Sequence, residues 1–446
     1  MARLPRIAVG TVQADADSTA LLWALMDSLE RDGVRVQSFL SRACFLPRDG
    51  ATAITGHPPR HLDSWLMTEA QCRESFARGS AACDIAVIEG CFAAREGCRQ
   101  SPGGDLSTLC TWLDLPRLAL VDAARLSGCQ LPDRPAHIDA VLLDRVRDEA
   151  EFARLETLFE SLWNVPVLGW MGAAEGLRKL VAATPCGTRP TLGLCHALGS
   201  ELSRQVQWDR LYKLAKSRKF PNVCEAPRKT HAAGSLRVAV AYDDAFHCYS
   251  ADTLELLELK GATVCDFSPL ADERLPTDCD VIYLGCGFPE RFAKQLAAND
   301  CMMLALKSHL ASGRRVYAEG GGVAYLCQEV VLADGERWPM VGALRATARL
   351  DPQATAPCPT RITLANDTWL APAETQWVGY LNHRWSLTLA GAGIRGCARV
   401  AGHECDVVQE HQAVGSRLHV NLAARDDLLD RFFEPHAAKS CGKSPK

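Results

Sequence analysis

Arg6-Ile7-Ala8-Val9-Gly10 is a short apolar run ending on glycine, and Ser18 to Arg31 follows with Leu21, Leu22, Leu25, Met26 and Leu29 on one helical face. The alternation continues along the chain. Val34 to Leu40, Asp84 to Glu89, Arg117 to Asp122 and Ile138 to Leu143 read as further strands, and Val165 to Trp170 ends the series. Short β-rich runs separated by helices predict an α/β class with a doubly wound parallel sheet.

A second series of the same kind begins at Leu236 to Tyr242 and continues at Thr263 to Phe267, Asp280 to Leu284 and Arg315 to Ala318. Closing strands and hairpins are expected in 341–422, and no internal repeat is visible. Between the series, 197–234 is basic and punctuated by Pro and Gly, which reads as a linker. The expected organisation is a first domain at 1–196, a linker at 197–234, a second domain at 235–434 and a frayed tail at 435–446. A chain of 446 residues is long enough for two cores of roughly 200 residues each.

The net charge of −4 with no long basic run argues against nucleic acid as a partner. The longest apolar runs, such as Ala20 to Met26, are too short to span a bilayer, and MARLPRIAVG carries no signal-peptide pattern. A cytoplasmic protein with no membrane partner is the expectation. The 20 cysteines are scattered without a CxxC pair or zinc-like spacing, so they read as reduced, mostly buried thiols and no metal site is expected.

Four segments of the second half stand in a recognisable order: AYDDAFHCY at 241–249, IYLGCGFPE at 282–290, RVYAEGGGVAYL at 315–326 and SRLHVNLAA at 416–424. With ELLELKGATV at 255–264, FSPLADERLP at 267–276, WPMVGAL at 338–344 and GHE at 402–404, they resemble the glutamine amidotransferase domain of cobyrinate (hydrogenobyrinate) a,c-diamide synthases. The resemblance implies a class I, flavodoxin-like amidotransferase fold. In that family a cysteine on a sharp strand-to-helix turn hydrolyses glutamine, in a motif similar to YAECGG. Here the turn is Tyr317-Ala318-Glu319-Gly320-Gly321-Gly322, so Gly320 stands at the nucleophile position with no side chain. His419 matches the histidine that would activate a thiol and is expected to be vestigial. Cys286, on the segment resembling the family's LGGGYPE loop, is an alternative nucleophile, although its side chain would have to swing into the space the glutamine carbonyl needs.

The first half is similar to the family's P-loop domain, of dethiobiotin-synthetase type, through GHPPRHLDSWLM at 56–67, DIAVIEG at 84–90, LVDA at 120–123, VLLDRV at 141–146 and VPVLGWM at 165–171. The family loop resembles GTxSGVGKTT, whose backbone amides and lysine hold phosphates. Gly10 to Thr19 departs from it: Asp17 stands at the lysine position, followed by Ser18 and Thr19, and Ala14 and Ala16 replace two glycines. Asp15 or Asp17 is expected to cap the helix in place of an anion. The segment matching the family's KVGPDYIDP, Leu40 to Arg48, has neither its lysine nor its acids. Glu89 keeps the acid of the EG motif, while Glu96 and Asp144 replace a usual Asp and Asn. These nucleotide-binding positions are expected to be vestigial.

Family cofactors would be ATP, Mg2+ and glutamine; for this chain none is expected. Three functions compete. The first is a non-catalytic homologue that binds a tetrapyrrole, or docks on an active paralogue or pathway protein. Arg42, Arg60, Asp63 and Trp65, with Arg48, would form the ligand site in a cleft between the domains. The second is an amidase of tetrapyrrole carboxylates, cobyrinate or sirohaem, using ammonia and an altered ATP mode. The third is a different reaction using Cys44, Cys91 or Cys286. Homodimerisation is a further expectation.

Overall fold

The computed structural model describes residues 4–13, 16–43, 48–92, 104–128, 130–185, 187–220, 229–353, 357–390, 395–398 and 406–434. The chain divides into two compact units, Met1–Ala226 and Pro227–Lys446.

In the first unit the strands are β1 (Arg6–Thr11), β2 (Val36–Leu40), β3 (Arg60–His61), β4 (Ile85–Cys91), β5 (Arg117–Asp122), β6 (Ala140–Val146) and β7 (Val167–Gly172). They form one sheet in the order β3-β2-β4-β1-β5-β6-β7, every neighbouring pair parallel. Every residue of β1 is buried because helices cover both faces of a parallel sheet. Those helices are α1 (Thr19–Arg31), α2 (Gly50–Thr55), α3 (Glu69–Gly79), α4 (Leu106–Trp112), α5 (Glu149–Trp163), α6 (Glu175–Ala183), α7 (Leu192–Ser203) and α8 (Trp208–Ala215).

The last two helices correct the linker reading of 197–234. The Thr191 side chain caps α7 by accepting from Leu194 N, and Leu198 and Leu202 are buried in the core with Leu21 and Leu25 of α1. Gly199 lets the helices touch: a Cβ there would lie 2.1 Å from Asp27 Oδ2. Leu211 and Ala215 of α8 join the same core while Arg210, Lys213 and Lys216 face solvent. The exposed basic face masked a buried apolar one, so the first unit continues well past residue 197.

The second unit has β8 (Leu236–Ala241), β9 (Phe246–Cys248), α9 (Ala251–Leu259), β10 (Ala262–Phe267), β11 (Val281–Leu284), β12 (Cys286–Gly287), α10 (Ala293–Ala298), α11 (Asp300–Ala311), β13 (Arg315–Glu319) and α12 (Gly321–Leu326). There follow β14 (Cys327–Val331), β15 (Arg337–Pro339), β16 (Leu344–Leu350), β17 (Cys358–Thr363), β18 (Gln376–Leu381), β19 (Trp385–Leu389), β20 (Arg395–Ala398), β21 (Val407–Glu410), β22 (Ala413–Ser416), β23 (Leu418–His419) and α13 (Asp426–Phe432). The main sheet has the order β10-β8-β11-β13-β22-β21-β20, parallel from β10 to β22 and antiparallel at the β21 and β20 edge. Successive residues of its strands point to opposite faces. Ala239, Ile282 and Ala318 enter one core, and Val238, Val240, Tyr283 and Tyr317 the other.

Candidate functional site

In the second unit, β13 ends at Glu319 and α12 starts at Gly321, so Gly320 alone makes the turn, with φ 50° and ψ −111°. A side chain here is strained, because positive φ brings Cβ against the backbone. The two following glycines are required by close approach. A Cβ on Gly322 would lie 2.4 Å from Leu284 O, and one on Gly321 would lie 2.7 Å from Pro289 Cδ.

The turn is surrounded by functional groups. A Cβ built on Gly320 would lie 2.8 Å from His419 Cε1, 3.2 Å from His419 Nε2 and 3.1 Å from Cys286 Cβ. Three residues far apart in the chain therefore meet at one point. His419 sits on β23, which pairs with β18 through Tyr380. Its Nδ1 lies 3.6 Å from Glu319 Oε2, and the Tyr317 hydroxyl donates to Glu319 Oε1 at 2.6 Å. Tyrosine, carboxylate and imidazole thus form a buried chain that ends beside a residue with no side chain. Opposite it, the loop of Gly285 and Cys286 is held by Tyr249, whose hydroxyl accepts from Gly285 N at 2.8 Å and donates to Ala241 O.

In the first unit the equivalent place is the end of β1 and the start of α1. Ala14 and Asp15 lie outside the described residues, as do Cys44 and Glu96. The Asp17 carboxylate accepts from Thr19 N at 3.0 Å, and the Ser18 side chain makes no capping hydrogen bond. Burial alone would raise the Asp17 carboxyl, but the Thr19 hydrogen bonds and the charges of Arg145 and Arg178 outweigh it and hold the pKa below the usual carboxylate range. The mouth of this turn is filled with ion pairs. Arg145 pairs with Asp122 and its Nη2 donates to Asp17 O at 3.5 Å, and Arg178 pairs with Asp144. Gln13 closes the other side, its amide donating to Asp122 O at 3.0 Å and accepting from Asp122 N at 2.7 Å. Glu89 is half-buried at the end of β4, and burial together with the Asp49 carboxylate pushes its pKa up to about 7. Asp144 is pushed up to about 6 by burial, against the pull of Arg178.

Of the residues expected to form the anionic-ligand site, Asp63 and Arg48 make hydrogen bonds within the fold. Asp63 is fully buried, and its two oxygens accept from Ala43 N and Trp65 N, each at 2.8 Å. It is a clasp between two loops. Arg48 donates to Thr184 O and Ala182 O at 3.0 and 2.8 Å, where α6 ends with unsatisfied carbonyls. Arg42 and Arg60 are half-buried, with their stems so close to Gly104 and Gly79 that a Cβ on either glycine would overlap them. Trp65 is also half-buried.

Among the described residues no group of three or more His, Cys, Asp or Glu side chains could hold a metal ion, and no helix is long and apolar enough to cross a membrane. Two site features had no signal in the sequence: Glu319 as the carboxylate on His419, and Cys248 beside Cys286. Both depend on strand register.

Residues 237–427 match the model of the CobB/CobQ-like glutamine amidotransferase domain. The cobyrinate a,c-diamide synthase of Syntrophotalea carbinolica is 31% identical over 361 residues, 78% of this chain and 78% of the relative. The chain belongs to the cobyrinate a,c-diamide synthase family. The Salmonella typhimurium family member is 28% identical over 448 residues, covering 96% of this chain and 97% of its own length, and that of Listeria innocua is 31% identical over 77% and 79%. Both units thus belong to the family architecture.

Proposed function

We propose that this family member performs neither glutamine hydrolysis nor ATP-dependent amidation, and acts by binding a carboxylated tetrapyrrole or a protein that handles one. One observation carries the reading. At the turn where His419 and Glu319 converge stands Gly320, and without an atom beyond Cα no thioester can form there. His419 and Glu319 are then a general-base pair with no nucleophile to serve at this position.

The first unit supports the same reading. A magnesium triphosphate does not fit residues that place Asp17 on the amide of Thr19 and fill the mouth with the Asp122–Arg145 and Asp144–Arg178 pairs. At the helix N-terminus a phosphate would meet the Asp17 carboxylate on the Thr19 amide that it needs. The ligand class follows from the substrate in the relatives' name. Of the proposed contacts, Arg42, Arg60 and Trp65 stay in the reading. Asp63 and Arg48 leave it because both hold the fold.

The test is a glutaminase assay on the full chain beside a titration with cobyrinate followed by tryptophan quenching. No glutamate release, with cobyrinate binding weakened by Arg42→Ala or Arg60→Ala, is the expected result. Glutaminase activity abolished by Cys286→Ala would overturn the non-catalytic reading. Binding no tighter than ~100 μM would leave the partner protein as the ligand.

A further inference from the structure

Two thiols meet beneath the Gly320 turn. β9 and β12 form a short antiparallel ladder in which Cys248 and Cys286 are direct register partners, with a bulge between Cys286 and Gly287. The Cys286 thiol donates to Cys248 O at 3.7 Å, so its sulfur lies over the partner strand. Directly opposed residues in an antiparallel pair have Cα atoms about 4.5–5.5 Å apart. That falls within the span of about 4.4–6.8 Å that a disulfide bridges without moving the backbone. Both thiols are free, and both cysteines are buried, each residue keeping 8% of its surface where Cys72, Cys195 and Cys327 keep none.

We propose that Cys248 and Cys286 are a reversible modification site, a dithiol that a peroxide converts into an intramolecular disulfide linking β9 to β12.

The surroundings assign the roles. The Cys286 thiol beside it holds the Cys248 pKa down despite burial, with His247 and then His419 adding to the effect. Cys286 is pushed the other way, first by burial and then by the Cys248 sulfur. The Cys286 thiol keeps its proton on Cys248 O, so the first attack is assigned to Cys248. Its sulfur attacks one peroxide oxygen, the O–O bond breaks, and the departing hydroxide takes a proton to become water, leaving Cys248 as a sulfenic acid. The Cys286 sulfur, giving up its proton, then attacks the Cys248 sulfur and displaces hydroxide, which that proton converts to a second water. Two thiols are oxidised to one disulfide and one peroxide is reduced to two waters. Two other buried cysteines are raised instead: burial pushes Cys110 up to about 12 and Cys327 further. The new bond would tie down the loop that Gly321 and Gly322 pack against, and it would do so whether or not the chain binds a tetrapyrrole.

The experiment treats the reduced full-length protein with graded hydrogen peroxide, blocks remaining thiols in denaturant and maps tryptic peptides by mass spectrometry. The expected product joins the peptide of Cys248 to that of Cys286, with fragment ions placing the bridge on Cys286 rather than on Cys279 of the same peptide. It should vanish on adding dithiothreitol. In the reduced wild-type protein, iodoacetamide should alkylate Cys248 at least about tenfold faster than Cys327. Folded wild-type protein that keeps both thiols reduced while other cysteines oxidise would overturn the proposal. So would a bridge to Cys279, or labelling of Cys248 no faster than that of Cys327.

Discussion

The two units meet the same structural problem, a tight turn between a central strand and a helix, and resolve it in opposite ways. At the end of β1 the turn is filled by charge: Asp17 accepts from the first helical amide and two Asp–Arg pairs close the mouth. At the end of β13 the turn is strained and bare, with an imidazole and a thiol-bearing residue pressed around a glycine. The difference follows from what each turn offers. A helix N-terminus presents donors and positive potential, which any nearby carboxylate can satisfy at small cost. A positive-φ turn packed against neighbouring backbone offers only a shape, and glycine is the residue that fits it most easily.

The largest effect should come from outside both turns and tests whether the first unit's loops are held by structure rather than by ligand. Asp63→Ala strands the buried amide of Ala43 and the half-buried one of Trp65, and is expected to cost about 2–4 kcal/mol in urea unfolding. A neutral effect would return Asp63 to the ligand site. At the second turn, Gly320→Ala should cost about 1–3 kcal/mol from positive φ and crowding. Combined with Cys286→Gly, it should show a favourable coupling of about 0.5 kcal/mol or more, since the Cys286 Cβ is one of the crowding atoms. Strict additivity would mean that the pocket yields in some other direction.

Glu89 gives the pH dependence. Its folded-state pKa of about 7 lies above the ordinary 4.5, so between those values the folded chain holds a proton that the unfolded chain has released. Stability therefore falls as pH rises through that window, and the deficit persists above it. Glu89→Gln should be about 1–2 kcal/mol more stable than wild type at pH 8 and equal to it below pH 4. Equal stability at both pH values would show that the carboxyl ionises freely. The smallest effect belongs to the charged turn: Asp17→Ala should cost about 0.5–1 kcal/mol. Mg-ATP should shift the melting temperature of neither protein. A shift in wild type saturating at micromolar ATP would mean that the turn still seats phosphate, and the contrast between the two turns would fail.

The alternation of Ile7, Val9 and their counterparts along β1, β4 and β5 was legible as a parallel sheet because every strand is apolar on both faces. The strand-to-helix turn at Gly320 was legible through its glycines. Helices α7 and α8 were not, because the basic run at 213–219 and the Pro and Gly that follow gave 197–234 the look of a linker, while the buried leucines were too few to set a period. The arginines at 42, 48 and 60 looked like one basic site. Arg48 instead donates to the carbonyls at the end of α6, a partner that no local pattern encodes.

The sequence alone determined what is chemically absent or present at each position: Gly320 has no side chain, Asp17 is an acid, and Cys248 and Cys286 are thiols. Tertiary structure decided which of these groups face one another. Register in the β9–β12 ladder set the two sulfurs opposite each other, and the pairing of β23 with β18 carried His419 to the turn after β13. The physical reason is that a strand's neighbours are chosen by the fit of whole sheets and cores, and a shift of one residue would turn each of these side chains to the other face.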